Sequence, residues 1–154
     1  MNCNMVNGRM NLLHKNRAGQ SMIEFALILP LFVLFIIGIF ELGRAFFSYI
    51  AVTNAAREGA RVITFWPGHT TIQNVTTAVD TEIVNSPMVT VGNISSIVID
   101  CGNAHNIVST DAALAACPSQ QPVRVTVTYK FQLLLNFISS HQINIGRAVE
   151  MMIP

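Results

Sequence analysis

Charge is what this sequence has least of. Only 11% of its 154 residues are Asp, Glu, Lys or Arg, against ~25% in ordinary soluble domains. Acids are missing altogether from residues 1–19, which carry Arg9, Lys15 and Arg17. Beyond that leader there is no basic patch, so no nucleic-acid partner is expected. The histidines His14, His69, His105 and His141 are scattered. None has ligand spacing with another His, Cys or carboxylate, so neither a metal nor any other cofactor is expected. There is no G-x-S-x-G, H-E-x-x-H, Walker A or Gly-rich phosphate loop. The carboxylates Glu58, Asp80, Glu82, Asp100, Asp111 and Glu150 form no obvious pair, and an enzyme is not expected. No internal repeat or low-complexity linker divides a chain with room for one modest domain.

What the sequence does have is one concentrated apolar run. The chain is 51% hydrophobic with mean hydropathy +0.48. From Phe25 to Phe40 no residue is charged, and only Pro30 and Gly38 disfavour helix. Those residues make about 24 Å of helix at ~1.5 Å each, while a bilayer core of ~30 Å asks for roughly 20 residues. Ser21–Ile23 and Leu42–Gly43 complete a span if Glu24 and Glu41 are tolerated. Basic residues before the run predict an N-terminus kept inside and a C-terminal part exported. Residues 1–19 lack the apolar middle of a secretory signal, and no small-x-small site follows the run.

The expected organisation is a leader over 1–19, a transmembrane helix over 20–43, its amphipathic extension over 44–66, and an exported α+β domain over 67–154. One helix from Gln20 to about Trp66 is expected, kinked or loosened at Pro30 and ended by Pro67-Gly68. Past Phe40 its apolar stripe reads Leu42, Phe46, Tyr49, Ile50, Thr53, Ala56, Ala60 and Ile63. One reading of Tyr49, Phe65 and Trp66 is a membrane-interface belt; Trp66 lies well past the span, so packing on the domain is expected instead. Residues 70–85 suggest a second helix whose apolar stripe is Ile72, Val75, Val79, Ile83 and Val84, stopped by Ser86-Pro87. Strands are expected over Ile94–Asp100, Val123–Tyr129 and, more weakly, Ile143–Met151. Between the first two, 102–121 reads as a loop with a helical turn over 111–116. The fold class is a small antiparallel sheet covered on one face by the amphipathic half of the helix.

Cys3 lies in the leader, whereas Cys101 and Cys117 both fall in the part expected outside. They are a candidate disulfide worth roughly 3 kcal/mol on the chain-entropy model. Two free buried thiols are the alternative.

Glu24 sits where the span begins. A carboxylate in a span costs up to about 3 kcal/mol at the centre and less at an edge. One reading is a boundary charge favoured near a helix N-terminus. The other begins with a cut after Gly19, which makes Gln20 the first residue, with a free amine, and Glu24 the fifth. The carboxylate then pairs with that amine or with a neighbouring subunit's, and the second pairing fixes the register of packed helices.

Gly19, then four residues, then Glu24-Phe25, opening an apolar helix after a basic leader, resembles the cleavage motif of type IV prepilins. With Pro30, Glu41-Leu42-Gly43-Arg44 and Ala55-Ala56-Arg57-Glu58-Gly59-Ala60-Arg61, residues 17–65 resemble the TadE-like minor pilins of Tad (Flp) systems. The resemblance implies processing between Gly19 and Gln20 by a membrane aspartic prepilin peptidase, whose narrow cleft suits a residue without a side chain. It implies a pseudopilin-like role in pilus biogenesis and adhesion, with prepilin peptidase, other Tad pilins and the lipid bilayer as partners. Arg57, Glu58, Gly59 and Arg61 are read as a helix contact surface, Gly59 permitting close backbone approach. An uncleaved single-span anchor carrying a binding domain is the alternative.

Overall fold

The computed structural model describes residues 17–133 and 142–154. Most of the expected leader, residues 1–16, lies outside the described residues. The chain divides into two compact units, Met1–Phe40 and Glu41–Pro154.

A single helix, α1, runs over Arg17–Phe65, with Pro30 inside it. It begins one turn earlier than expected, so Gly19 lies in helix. In the first unit its side chains are uncovered: Met22, Leu27 and Leu31 are each at least 70% exposed. This is the one helix among the described residues long and apolar enough to cross a membrane. A soluble chain rarely leaves so much contiguous apolar surface in water.

The second unit is α+β. Helix α2, Ile72–Val84, starts at Thr71, whose hydroxyl accepts from Asn74 N at 3.2 Å and so satisfies one of the first-turn amides. Asn85 closes it. Strand β1 covers Ile94–Cys101, β3 Pro122–Gln132 and β4 Gln142–Met152. The segment expected to be loop contains a short strand, β2 at Asn106–Val108, and a helix, α3 at Asp111–Ala115. The expectation of plain loop around a helical turn missed β2. Three residues are too few to show alternation, and β2 forms by pairing back on β1. The sheet is antiparallel in the order β2-β1-β3-β4. The closing strand, weak by sequence, pairs with β3 along its full length, from Pro122↔Met152 to Gln132↔Gln142.

The clean alternation of β3 puts Val123, Val125, Val127, Tyr129 and Phe131 on the buried face. Over them lie Val75, Val79 and Ile83 of α2 and one face of α1. That face of α1 shares Ala56, Ala60 and Ile63 with the expected stripe and differs from it over Leu42 to Ile50. The buried positions are Glu41, Ser48, Ala51, Val52, Ala55, Ala56, Gly59, Ala60 and Ile63. Leu42 and Phe46 are 73% and 63% exposed, and Tyr49 and Ile50 also lie outward. Both sets repeat at three and four residues, so periodicity alone cannot choose between them. Packing chooses the small set, because alanines let the helix approach the sheet and α2 closely. Phe65 and Trp66 likewise do not pack inward. They are exposed and meet edge to face, ring centres 5.5 Å apart.

Candidate functional site

The first candidate region is the start of α1. From Met22 to Phe40 the only charged side chain is Glu24. It lies one turn after Gln20, whose amide Nε2 donates to Glu24 Oε1 at 3.3 Å. The two residues therefore share a helix face. Phe25 is 65% exposed. A β-carbon placed on Gly19 meets nothing within 4 Å, as is also true at Gly38 and Gly43. Among the described residues nothing demands a glycine at residue 19.

The second region is the helix segment around Arg57. The structure separates its four residues. Arg57 and Arg61 are exposed and Glu58 is half-buried. Arg61 Nε and Nη2 donate to the two oxygens of Glu58 at 2.8 and 2.6 Å, a bidentate pair one helical turn apart. That hydrogen bonding holds the Glu58 carboxyl below its ordinary value, more strongly than partial burial raises it. Gly59 points the other way. It is buried, and a β-carbon there would stand 2.9 Å from Val79 Cγ2 and 3.2 Å from Val125 Cγ1. The close approach expected of Gly59 takes place inside the chain. Of the four, Arg57 and Arg61 lie at the surface with Glu58 half-buried beside them.

The third is a set of contacts to which the sequence reading assigned no role. Glu41 is buried, and its Oε2 accepts from Arg44 Nη1 at 3.0 Å. The Arg44 guanidinium lies over the Phe131 ring, 5.2 Å from its centre. Next to the buried α1 face, Arg147 of β4 lies over the Tyr49 ring at 4.8 Å. These contacts fasten α1 to β3 and β4 through cation–π attraction. The available signal was the Glu41/Arg44 pair, charges three apart where neighbouring residues are apolar. Their partners, the Phe131 ring for Arg44 and the Arg147 guanidinium for Tyr49, come from strands some ninety residues away, and no local pattern announces them.

Cys101 and Cys117 form a disulfide with Cα atoms 5.8 Å apart. It ties the end of β1 to the residue just beyond α3. Arg124 and Glu150, paired across β3 and β4, make an ion pair on the sheet, with His105 Nε2 3.0 Å from Arg124 Nη2.

Residues 19–61 match the TadE-like protein family. The match covers Gly19, Glu24, the Glu41–Arg44 pair and Arg57 to Arg61 and stops before α2. It ties this segment to Tad pilus systems. No curated protein and no solved structure matches the chain. The shared part is thus the helix, whose Glu41, Arg44 and Gly59 also serve the packing of the second unit.

Proposed function

We propose that this protein is a minor pilin or pseudopilin of a Tad-type pilus assembly, acting in pilus biogenesis and surface adhesion. A prepilin peptidase cuts between Gly19 and Gln20. The mature helix rests in the cytoplasmic membrane, with the α+β domain outside, until it joins other Tad pilins through helix packing. The observation that carries this reading is the lone carboxylate of Glu24. It sits four residues after Gln20 on an uncovered apolar helix inside the TadE-like match.

The chemistry supports each step. Peptidases bind extended backbone, and glycine is about 1 kcal/mol worse than alanine in helix, so the first turn of α1 opens most easily at Gly19. A new amine at Gln20 lies one turn from Glu24 and also within reach of a neighbour's carboxylate. An ion pair between subunits makes a lipid-side charge tolerable only on assembly. The domain, outside the family match, supplies partner specificity, and Arg57, Glu58 and Arg61 are its proposed contact residues next to the helix.

The N-terminal residue of the membrane-extracted protein tests this. Intact mass and terminal peptide sequencing should show a chain starting at Gln20. A chain retaining Lys15 and Arg17 in cells with active prepilin peptidase would favour the uncleaved anchor instead.

A further inference from the structure

We propose that Arg147, held against Tyr49, binds the phosphate of an anionic lipid headgroup. Arg44, Arg61 and Arg124 each meet a glutamate. Arg147 meets an aromatic ring instead, and its Nε is buried with no hydrogen-bond partner. An unmet buried donor is costly, more so on a charged group. The ring fixes the plane of the guanidinium, and its two Nη groups, unlike the buried Nε, remain to match a phosphate, which lysine matches less well.

Chain position says where that phosphate comes from. Arg44 directly follows the expected span, which ends at Gly43, and Tyr49 follows Gly43 by about 9 Å of helix at ~1.5 Å per residue. Helical side chains lean toward the N-terminus, which brings the Tyr49 ring back toward the run. If α1 spans a bilayer, this stretch passes the headgroup layer, which adds roughly 5–8 Å to each side of the hydrocarbon core. The same stretch of α1 exposes Leu42, Phe46, Phe47 and Ile50, suited to the boundary with the acyl chains.

The charges of the second unit agree. Tyr129 and Phe131 of β3 pair with Ile145 and Ile143 of β4, and Thr90 N reaches the Tyr129 hydroxyl. Over 41–52, 86–98, 127–133 and 142–147, which build this end of the sheet and the helix beside it, the charged residues are Glu41, Arg44, Lys130 and Arg147. Glu41 and Arg44 neutralise one another, so Lys130 and Arg147 remain. Asp100 and Glu150 lie at the opposite end of the strands, both in register with Arg124. Among the described residues these two cations, Arg147 opposite Val127 at mid-strand and Lys130 further along β3, lie on the side of the sheet away from Asp100 and Glu150. Each cation near an anionic membrane surface adds about fivefold to binding.

The inference rests on α1 spanning a bilayer and not on cleavage or pilus assembly. Its test offers the full-length protein, in neutral detergent micelles, equal amounts of phosphatidylglycerol and phosphatidylcholine. Retained lipid is counted by native mass spectrometry. Wild type should retain phosphatidylglycerol about fivefold over phosphatidylcholine, and Arg147→Gln should bring the ratio near one. No preference in wild type, or the same preference in a folded Arg147→Gln protein, overturns the proposal. Millimolar inorganic phosphate should leave the bound lipid in place. If phosphate displaces it and binds wild type but not Arg147→Gln, the site serves free phosphate and the lipid assignment fails. Should Arg147→Gln not fold, as read by near-ultraviolet circular dichroism, salt decides with wild type alone. A preference that falls with rising salt supports the site, and one that ignores salt overturns it. Glu24 variants should not move this ratio, so a failure here is separable from a failure of the pilus reading.

Discussion

Gly59 of α1 and Val79 of α2 approach so closely that a β-carbon at residue 59 would stand 2.9 Å from Val79 Cγ2, with Val125 Cγ1 at 3.2 Å and Val75 Cγ1 at 3.4 Å behind it. Three β-branched side chains, from α2 and β3, close the space around one glycine. Their χ1 angles are stiff, so none yields without disturbing its own packing. Gly59→Ala gains about 1 kcal/mol of helix propensity but overpacks the junction by roughly 1–3 kcal/mol. A net loss of about 1 kcal/mol is expected in urea denaturation of the full chain, and Gly59→Leu should fail to fold. A rise in midpoint for Gly59→Ala would show that the valines move aside.

The Cys101–Cys117 bridge closes a short loop that holds β2 and α3 and positions Leu114 in the core. Replacing both cysteines by serine should cost about 3 kcal/mol. Reductant should lower the wild-type denaturation midpoint to that of the double variant and leave the variant unchanged. Equal midpoints with and without reductant in wild type would show that the bridge adds nothing.

Glu58 is held below its ordinary value chiefly by its hydrogen bonds to Arg61. A carboxyl depressed in the folded state stabilises above its unfolded value, and that stability is lost as pH falls through the folded value. The advantage of wild type over Arg61→Gln should therefore be constant at neutral pH and shrink in the acid range below the ordinary glutamate value. The pair is largely open to solvent, so the effect should be small and fall with salt. A difference independent of acid would place the role of Arg61 elsewhere than in this pair.

Glu24→Ala removes the one charge between Met22 and Phe40. Cleavage after Gly19 should persist, because the scissile bond is untouched, while co-assembly with other pilins should fall at least tenfold, corresponding to about 1.4 kcal/mol. Immunoblotting of sheared pili against the membrane fraction measures both. Normal incorporation of Glu24→Ala would remove the register argument.

The parts of the fold legible in the sequence are those with a strong local period. The uncharged run from Phe25 to Phe40 announces helix by composition alone. The alternation from Val123 to Tyr129 announces a strand, and the structure extends it by one residue before and three after. Strand β4 was legible only faintly. Gly146 interrupts its pattern, and it gains most of its definition from the β3 register. On α1, two apolar sets share one segment. The large one, Leu42, Phe46 and Ile50, drew attention by hydrophobicity, whereas the buried one is built largely of alanine. Transfer energy per residue favours the first, and close approach favours the second.

Local chemistry by itself determined that one long apolar helix begins beside a glycine and a glutamate, that charges cluster before it, and that Val/Thr-rich strands follow. Period, composition and charge order are properties of neighbours along the chain. Which face of α1 lies inward, what Gly59 accommodates, and which rings take Arg44 and Arg147 were decided only in three dimensions. Each depends on partners from β3, β4 and α2, and such pairings are chosen by volume and distance rather than by sequence spacing.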